Sequence, residues 1–194
     1  MQDRRLWLID GGYLYKAQSS ISGFQLDYVK LREYLERDGP IWRAYYLNSI
    51  VHPTSPELDS FHRWLQSAPP IGPKIIVKSY SIKRFLIDFA YCDKCAKNNE
   101  VRCPSCGERL HKEQQKGVDV GVATIALAQI KNYDSLLLSS GDGDLLDAVE
   151  HICQNGKKFE LIVFRNGVSP DLQGRSDRIY WIDDFYNDVR RVKG

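Results

Sequence analysis

Residues 6–12 read Leu-Trp-Leu-Ile-Asp-Gly-Gly, and this short stretch decides the fold. Four consecutive apolar residues closed by turn-forming residues are typical of a strand that is buried on both faces. Residues 4–10 are therefore predicted to form the first strand, which ends on the carboxylate of Asp10. Strands of this kind belong to parallel sheets that are covered by helices on both sides.

The alternation of strands and helices continues along the chain. Helices are predicted at residues 26–37, from Pro56 onward, and at 117–131, 142–154 and 183–192. Further strands are predicted at residues 41–47, 74–82, 135–139, 159–164 and 178–182. Strands and helices that alternate with short connections indicate a three-layer α/β/α fold with a mostly parallel sheet.

Composition excludes several classes of protein. The 194 residues are 43% hydrophobic and 27% charged, close to the averages for soluble globular domains, and the net charge of +2 neither demands nor excludes a nucleic-acid partner. The first apolar run is too short for a secretion signal, and no apolar stretch approaches the roughly 18 residues of a membrane span. We expect a cytoplasmic protein without a membrane partner, and self-association into a homodimer stays open.

Carboxylates recur where the predicted strands end. Asp10 follows the first strand, Asp142 and Asp144 follow the strand at 135–139, and Asp119 opens the helix before that strand. Ligands of open α/β sheets bind beyond the carboxyl ends of the strands, so these four side chains are expected to meet. Gathered carboxylates repel unless a divalent ion lies among them, and oxygen ligands favour Mg²⁺ or Mn²⁺.

A simpler interpretation exists for single members of this set. Asp119 and Asp142 stand at predicted helix starts, where an aspartate caps the helix whether or not a metal binds. Asp147 lies one helical turn after Asp144 and is expected to be solvated. The metal-site prediction therefore depends on the four carboxylates as a set.

Two CxxC pairs lie in residues 85–115, where the regular pattern is interrupted, and this segment is predicted to be an insertion. The pairs are Cys92 with Cys95 and Cys103 with Cys106. Their spacing predicts one structural Zn²⁺ bound by four thiolates, because a CxxC turn directs two sulfurs at one tetrahedral ion. A redox dithiol is the weaker alternative.

The insertion and its flanks also carry cations and aromatic rings. Lys83 and Arg84 alternate with Tyr80, Phe85, Phe89 and Tyr91, a composition typical of surfaces that bind single-stranded nucleic acid. These rings could equally form a core that anchors the zinc loop. Lys116, just before the next helix, is a further candidate for a phosphate contact, although a solvated lysine is the simpler interpretation.

Three ordered segments resemble the NYN domain family, in particular its LabA-like branch. They are Leu-Ile-Asp-Gly-Gly at residues 8–12, Lys-Gly-Val-Asp at 116–119 and Ser-Ser-Gly-Asp-Gly-Asp at 139–144. The resemblance implies a PIN-like fold and an acidic Mg²⁺ or Mn²⁺ site that cleaves RNA, with Asp10, Asp119, Asp142 and Asp144 as site residues. One departure is Tyr13, which stands where the family typically has Asn.

The residues after the first strand exclude two other classes of phosphate-binding protein. A phosphatase of the haloacid-dehalogenase kind needs a second Asp at position 12, which is Gly. A dinucleotide-binding fold needs GxGxxG there, and the spacing after Asp10 does not match. The sequence thus predicts an endoribonuclease acting on single-stranded RNA. A weakly active or inactive module that binds RNA or a protein is the alternative, and a DNA nuclease also stays open.

Overall fold

The computed structural model describes residues 3–114 and 117–192. Its strands, numbered along the chain, are β1 (Arg5–Asp10), β2 (Ile41–Ile50), β3 (Ile76–Ser81), β4 (Lys83–Ile87), β5 (Phe89–Cys92), β6 (Lys97–Glu100), β7 (Leu110–Gln114), β8 (Ser135–Ser139), β9 (Lys158–Val163) and β10 (Arg178–Trp181). Its α-helices are α1 (Gly11–Ala17), α2 (Tyr28–Glu36), α3 (Pro56–Gln66), α4 (Val118–Ala128), α5 (Leu146–Gln154), α6 (Pro170–Arg175) and α7 (Ile182–Phe185). Short 3₁₀ turns occupy Gln18–Ser20 and Gly143–Leu145.

Six strands form one parallel sheet in the order β10-β9-β8-β1-β2-β3. The first strand lies in the middle, where Trp7 pairs with Ala44 of β2 on one side and with Leu137 of β8 on the other. Every residue of β1 except Asp10 is buried. The predicted α/β class with a parallel sheet is therefore confirmed.

Helices cover both faces of the sheet. Side chains from α1, α2 and α3 pack on the face that carries Trp7 and Ile9, whereas α4, α5 and α6 pack on the face that carries Leu6 and Leu8. Side chains of successive β1 residues thus pack into two separate cores, because side chains alternate between the two faces of a strand. None of the helices within the described residues is long and apolar enough to cross a bilayer.

The insertion is built from two small antiparallel pairs. Strands β4 and β7 pair Lys83 with Gln114, and β5 with β6 forms a hairpin above them. Every residue from 83 to 114 is exposed or half-buried. The regular fold is interrupted from Lys83, two residues before the predicted boundary of 85, and residue 115 lies outside the described residues.

Two local predictions were wrong at the ends of the chain. Gly11 begins α1 rather than a turn, because Asp10 caps the helix. The position needs a glycine, since a Cβ there would lie only 2.3 Å from the Tyr46 ring. The last helix, predicted at 183–192, ends at Phe185. Beyond it the chain returns to the body of the fold, where Arg190 forms a β-bridge with Leu26.

Candidate functional site

The order of strands leaves a crevice between β1 and β8. The chain runs from β1 to β2 and β3 on one side, then returns through β8, β9 and β10 on the other. Connections from β1 and β8 therefore leave the carboxyl edge in opposite directions, which is where open α/β sheets bind their ligands. Asp10 is the last residue of β1, and the Ser140 to Asp144 segment follows β8.

Asp10 lies at the base of this crevice. Its Oδ1 accepts the Tyr13 backbone N–H at 3.0 Å and caps α1, and its Oδ2 accepts the Ser140 hydroxyl at 3.4 Å. Burial raises the pKa of this carboxyl, and the negative charge of Asp142 adds to the rise. Hydrogen bonds from Tyr13, Gly12 and Ser140 oppose the rise. Hydrogen bonds from these neighbours therefore stabilise the ionised Asp10 carboxylate, although burial leaves it poorly solvated.

Asp142 and Asp119 reach the same crevice from two other segments. Asp142 caps the 3₁₀ turn by accepting the Asp144 N–H at 3.0 Å, and its own N–H donates to the Ser140 hydroxyl at 3.3 Å. Asp119 lies in the first turn of α4. Burial raises the pKa of Asp119, and the charges of Asp142 and Asp10 raise it further. The three carboxylates therefore interact electrostatically across the crevice.

These three carboxylates line one cavity of about 430 Å³. Asp144 is exposed and does not line it, although its charge is the weakest of the causes that raise the pKa of Asp119. Asp147 is exposed, as expected from its place on α5. The structure thus brings Asp10, Asp119 and Asp142 together and leaves Asp144 at the rim.

A sequence profile for the NYN domain matches residues 6–183. The chain belongs to the NYN domain family. Members of this family are nuclease-like, with a PIN-like fold. A crystal structure of a protein of unknown function from Vibrio parahaemolyticus matches with a TM-score of 0.65 and 20% identity, over 98% of this chain and 97% of that one. This similarity shows the fold alone. No curated protein matches the chain.

Four polar residues of the NYN domain's cavity were not predicted as site residues. Lys16 lies on α1, Asn48 and Ser49 follow the buried run 44–47 of β2, and Ser140 follows β8; all four line the cavity with the carboxylates. Lys16 was missed because α1 itself was not predicted. Asn48 and Ser49 could have been found, since β2 is the strand next to β1 and they are polar residues at its carboxyl end.

Tyr13, the departure from the usual NYN motif, closes one wall of the cavity. Its hydroxyl accepts the Phe164 backbone N–H at 3.2 Å and donates to the Phe164 carbonyl at 3.3 Å. Burial raises the pKa of this phenol, so it stays neutral. A Cβ on Gly141 would lie 2.7 Å from the Tyr13 ring and 1.9 Å from the Gly167 carbonyl oxygen, which explains the glycine after Ser140.

Two of the three predicted substrate-binding cations, Lys83 and Arg84, lie outside the cavity. Lys83 and Arg84 begin β4, just beyond the carboxyl end of β3, and Arg84 pairs with Glu113 at 2.8 Å. Lys116 lies outside the described residues. Both ends of the insertion nevertheless adjoin the site, because β3 ends at the carboxyl edge of the sheet and α4 begins there with Asp119.

The four predicted zinc ligands form two local pairs. The Cys92 and Cys95 thiols are within hydrogen-bond reach of each other, in the turn between β5 and β6. Cys103 and Cys106 are related in the same way, in the turn closed by the bridge between Arg102 and Arg109. Backbone N–H groups of Cys95 and Lys94 lower the pKa of Cys92, and those of Ser105 and Cys106 lower the pKa of Cys103.

Proposed function

We propose that this NYN domain is an endoribonuclease that cleaves RNA phosphodiester bonds with Mg²⁺ or Mn²⁺. The observation that supports the proposal is the convergence of Asp10, Asp119 and Asp142, from three distant segments, on one cavity at the carboxyl edge of the sheet. Two of these carboxyls have raised pKa values: burial raises the pKa of Asp10, partial desolvation raises that of Asp119, and the charge of Asp142 raises both. A site that concentrates negative charge in this way suits a cation and the phosphate that the cation attracts.

The donor set fits a hard divalent ion. All three carboxylates supply oxygen, the ligand that Mg²⁺ and Mn²⁺ prefer. Within residues 3–114 and 117–192, no three His, Cys, Asp or Glu side chains stand close enough together to ligate one ion. Mg²⁺ keeps several waters and commonly takes only one or two carboxylates from the protein, so Asp10 with Asp142 or Asp119 would suffice.

Each residue of the cavity has a role in this proposal. Asp10 would hold the ion together with Asp142 or Asp119. The third carboxylate of the cavity, and Asp144 at the rim, would add negative charge or a water-mediated contact. When bound, such an ion neutralises the scissile phosphate and polarises it toward attack by water. Lys16, at the mouth of the cavity, offers a positive charge to a phosphate oxygen, and Lys116 is proposed to do the same.

We propose that the insertion is held together by Zn²⁺. Residues 83–114 contribute nothing to the two cores, and a segment of this size without buried apolar side chains needs a metal or disulfides to hold a fixed shape. Cys92, Cys95, Cys103 and Cys106 supply four thiols in two turns, whose backbone N–H groups already point at sulfur. Closure of the two turns on one ion would complete a structural site.

The insertion is proposed to guide single-stranded RNA toward the acidic cavity. It rises from the edge of the sheet that carries Asp10, and it exposes Phe89 and Tyr91 by 65% and 61%. Lys83 is exposed at its base, and Arg84 is partly neutralised by Glu113. Exposed rings beside cations suit a strand whose bases are unpaired.

The ribonuclease proposal is tested by cleavage of a labelled single-stranded RNA with Mn²⁺. Wild-type protein is expected to cut internally, while an Asp10→Asn, Asp142→Asn double variant is expected to lose at least about 100-fold in rate. Asp147→Asn is the matched control, because Asp147 is an exposed carboxylate on α5 outside the cavity. Undiminished cleavage by the double variant would overturn the proposal, and a DNA oligonucleotide of the same sequence tests the choice of sugar.

The alternative, a module that binds RNA or a protein without turnover, is favoured by one observation. Tyr13 replaces the polar residue usual in the family and fills the wall beside Asp10 with an aromatic ring. This alternative predicts that wild-type protein retains RNA in a gel-shift assay but releases no products at any Mn²⁺ concentration. Cleavage at substoichiometric enzyme that the double variant lacks would exclude it.

A further inference from the structure

A second cavity of about 750 Å³ lies alongside the acidic one, and we call it the flanking groove. The two share Gly12, Lys16, Asn48 and Ser49 in their walls. The flanking groove therefore opens directly from the acidic cavity rather than from a separate face of the protein. A chain whose scissile bond lay in the acidic cavity would pass into this groove on one side.

The groove has aromatic walls and a rigid floor. Tyr15, 75% exposed, and Phe61 line it from α1 and α3. Tyr28 and Tyr46 lie beneath, both buried, with their rings packed edge to face at 5.7 Å. Aromatic faces on a fixed floor are what a stacked nucleobase requires.

Two cations line the groove. Lys16 is shared with the acidic cavity, and Arg191 lines the groove alone. Within residues 3–114 and 117–192, neither side chain forms an ion pair with a carboxylate. Glu57 also lines the groove, and its charge is outnumbered by these two. Two cations separated by aromatic side chains match the alternation of phosphates and bases along a nucleic-acid strand.

We propose that the flanking groove binds the ribonucleotide adjacent to the scissile phosphate. Its base lies against Tyr15 and Phe61, and its phosphates are bound by Lys16 and Arg191. This inference rests on the proposed function, because it takes the acidic cavity as the place where RNA is cut. It adds a source of affinity for the substrate beside the cleavage site.

The test measures binding, so it does not depend on cleavage. An Asp10→Asn parent is titrated into a labelled single-stranded RNA decamer, and affinity is read by fluorescence anisotropy. Adding Tyr15→Ala or Arg191→Ala is expected to weaken binding by about tenfold each, whereas Tyr15→Phe keeps the ring and the affinity. Both positions are exposed, so folding is preserved. Lys131→Ala is the matched control, because Lys131 is exposed at the opposite edge of the sheet, before β8.

RNA binding that is unaffected by Tyr15→Ala and Arg191→Ala would overturn the groove itself, as would a parent that binds no RNA.

The two proposals fail in different ways. If the parent shows the expected binding pattern while wild-type protein cleaves nothing, the flanking groove stands and the ribonuclease proposal falls. If wild-type protein cleaves while Tyr15→Ala and Arg191→Ala bind RNA as tightly as the parent, the groove proposal falls alone.

Discussion

Ser140 donates its hydroxyl to Oδ2 of Asp10 at 3.4 Å, across the junction of β1 and β8. The same hydroxyl accepts the Asp142 N–H at 3.3 Å, so one buried side chain joins two segments that are 130 residues apart. This serine therefore fixes the Asp10 carboxylate relative to the backbone of Asp142. Its bond also lowers the pKa of Asp10, which burial would otherwise raise further.

Replacing Ser140 should move the pH dependence of cleavage. Ser140→Ala removes a hydrogen bond that favours the ionised Asp10, so the pKa of Asp10 rises. We expect the acidic limb of the profile of kcat/KM against pH to shift to higher pH, with KM for RNA little changed. Ser135→Ala is the matched control, a buried serine at the other end of β8 that bonds to Asp3. An unshifted acidic limb in Ser140→Ala would contradict the positioning role.

Without metal, the ionised carboxyl of Asp10 should cost stability. Because burial raises its pKa, the folded protein holds this proton more tightly than the unfolded chain, whose value is about 3.9. Asp10→Asn keeps the α1 cap and removes the charge, so in EDTA at pH 7.5 it should gain about 1 kcal/mol, or roughly 2–4 °C in Tm. The gain should shrink as the pH falls through the raised pKa of Asp10, and it should be lost below the pKa of the unfolded chain.

Thermal melts with and without Mg²⁺ provide the second half of this test. Saturating Mg²⁺ should raise the Tm of wild-type protein, since an ion that binds only the folded state stabilises it, by about 2.7 kcal/mol at 100 times its Kd. Asp10→Asn should respond much less. A variant that is less stable than wild-type protein in EDTA at pH 7.5, or equally responsive to Mg²⁺, would be inconsistent with a strained acidic site.

Zinc removal should unfold the insertion and spare the sheet. Cys92→Ser with Cys103→Ser leaves one thiol in each turn, so zinc measured by elemental analysis should fall from about one ion per chain to none. Protease cuts should then appear between residues 83 and 114, while far-UV circular dichroism and the Tm of the body stay near those of wild-type protein, because both cores lie outside this segment. Zinc-free wild-type protein with an equally protected insertion would refute the zinc site.

Tyr13 is expected to contribute to stability as well as to the wall of the cavity. Tyr13→Phe removes the hydroxyl that bonds to the Phe164 backbone and should cost about 1 kcal/mol in urea denaturation. Tyr13→Asn, which restores the usual residue of the family, also loses the ring contact with Gly141 and should cost about 2–3 kcal/mol. If Tyr13→Asn were as stable as wild-type protein, the packing account would be wrong.

Local sequence was enough to predict the sheet but not every contact at its edge. The apolar run ending at Asp10 and the Asp-Gly-Asp after β8 predicted that Asp10 and Asp142 would lie at one edge, because parallel strands present their ends there, whereas Asp144 was also predicted to join them and stays at the rim. The helix that begins at Gly11 was missed, since paired glycines disfavour a helix and tertiary packing against Tyr46 overrides that preference. Lys16, which lies on this helix, was therefore not predicted as a site residue.

Other features depended on contacts between distant segments. The C-terminal segment has a helical pattern, yet it leaves the helix after Phe185 because the Asp27 N–H bonds to the Val189 carbonyl at 2.9 Å. Similarly, no local pattern shows that Ser49 lies in a wall shared by two cavities. Sequence periodicity gives the elements and their order, whereas such pairings appear only when the elements are packed.

The most direct test of the central claim is anomalous diffraction from crystals soaked in Mn²⁺. We predict a manganese peak in the cavity between β1 and β8, within about 2.5 Å of a carboxylate oxygen of Asp10 and of Asp142 or Asp119. The peak should be absent from Asp10→Asn crystals soaked in the same way. A saturating soak that places no manganese there, in crystals of protein that cleaves RNA with Mn²⁺, would contradict the account.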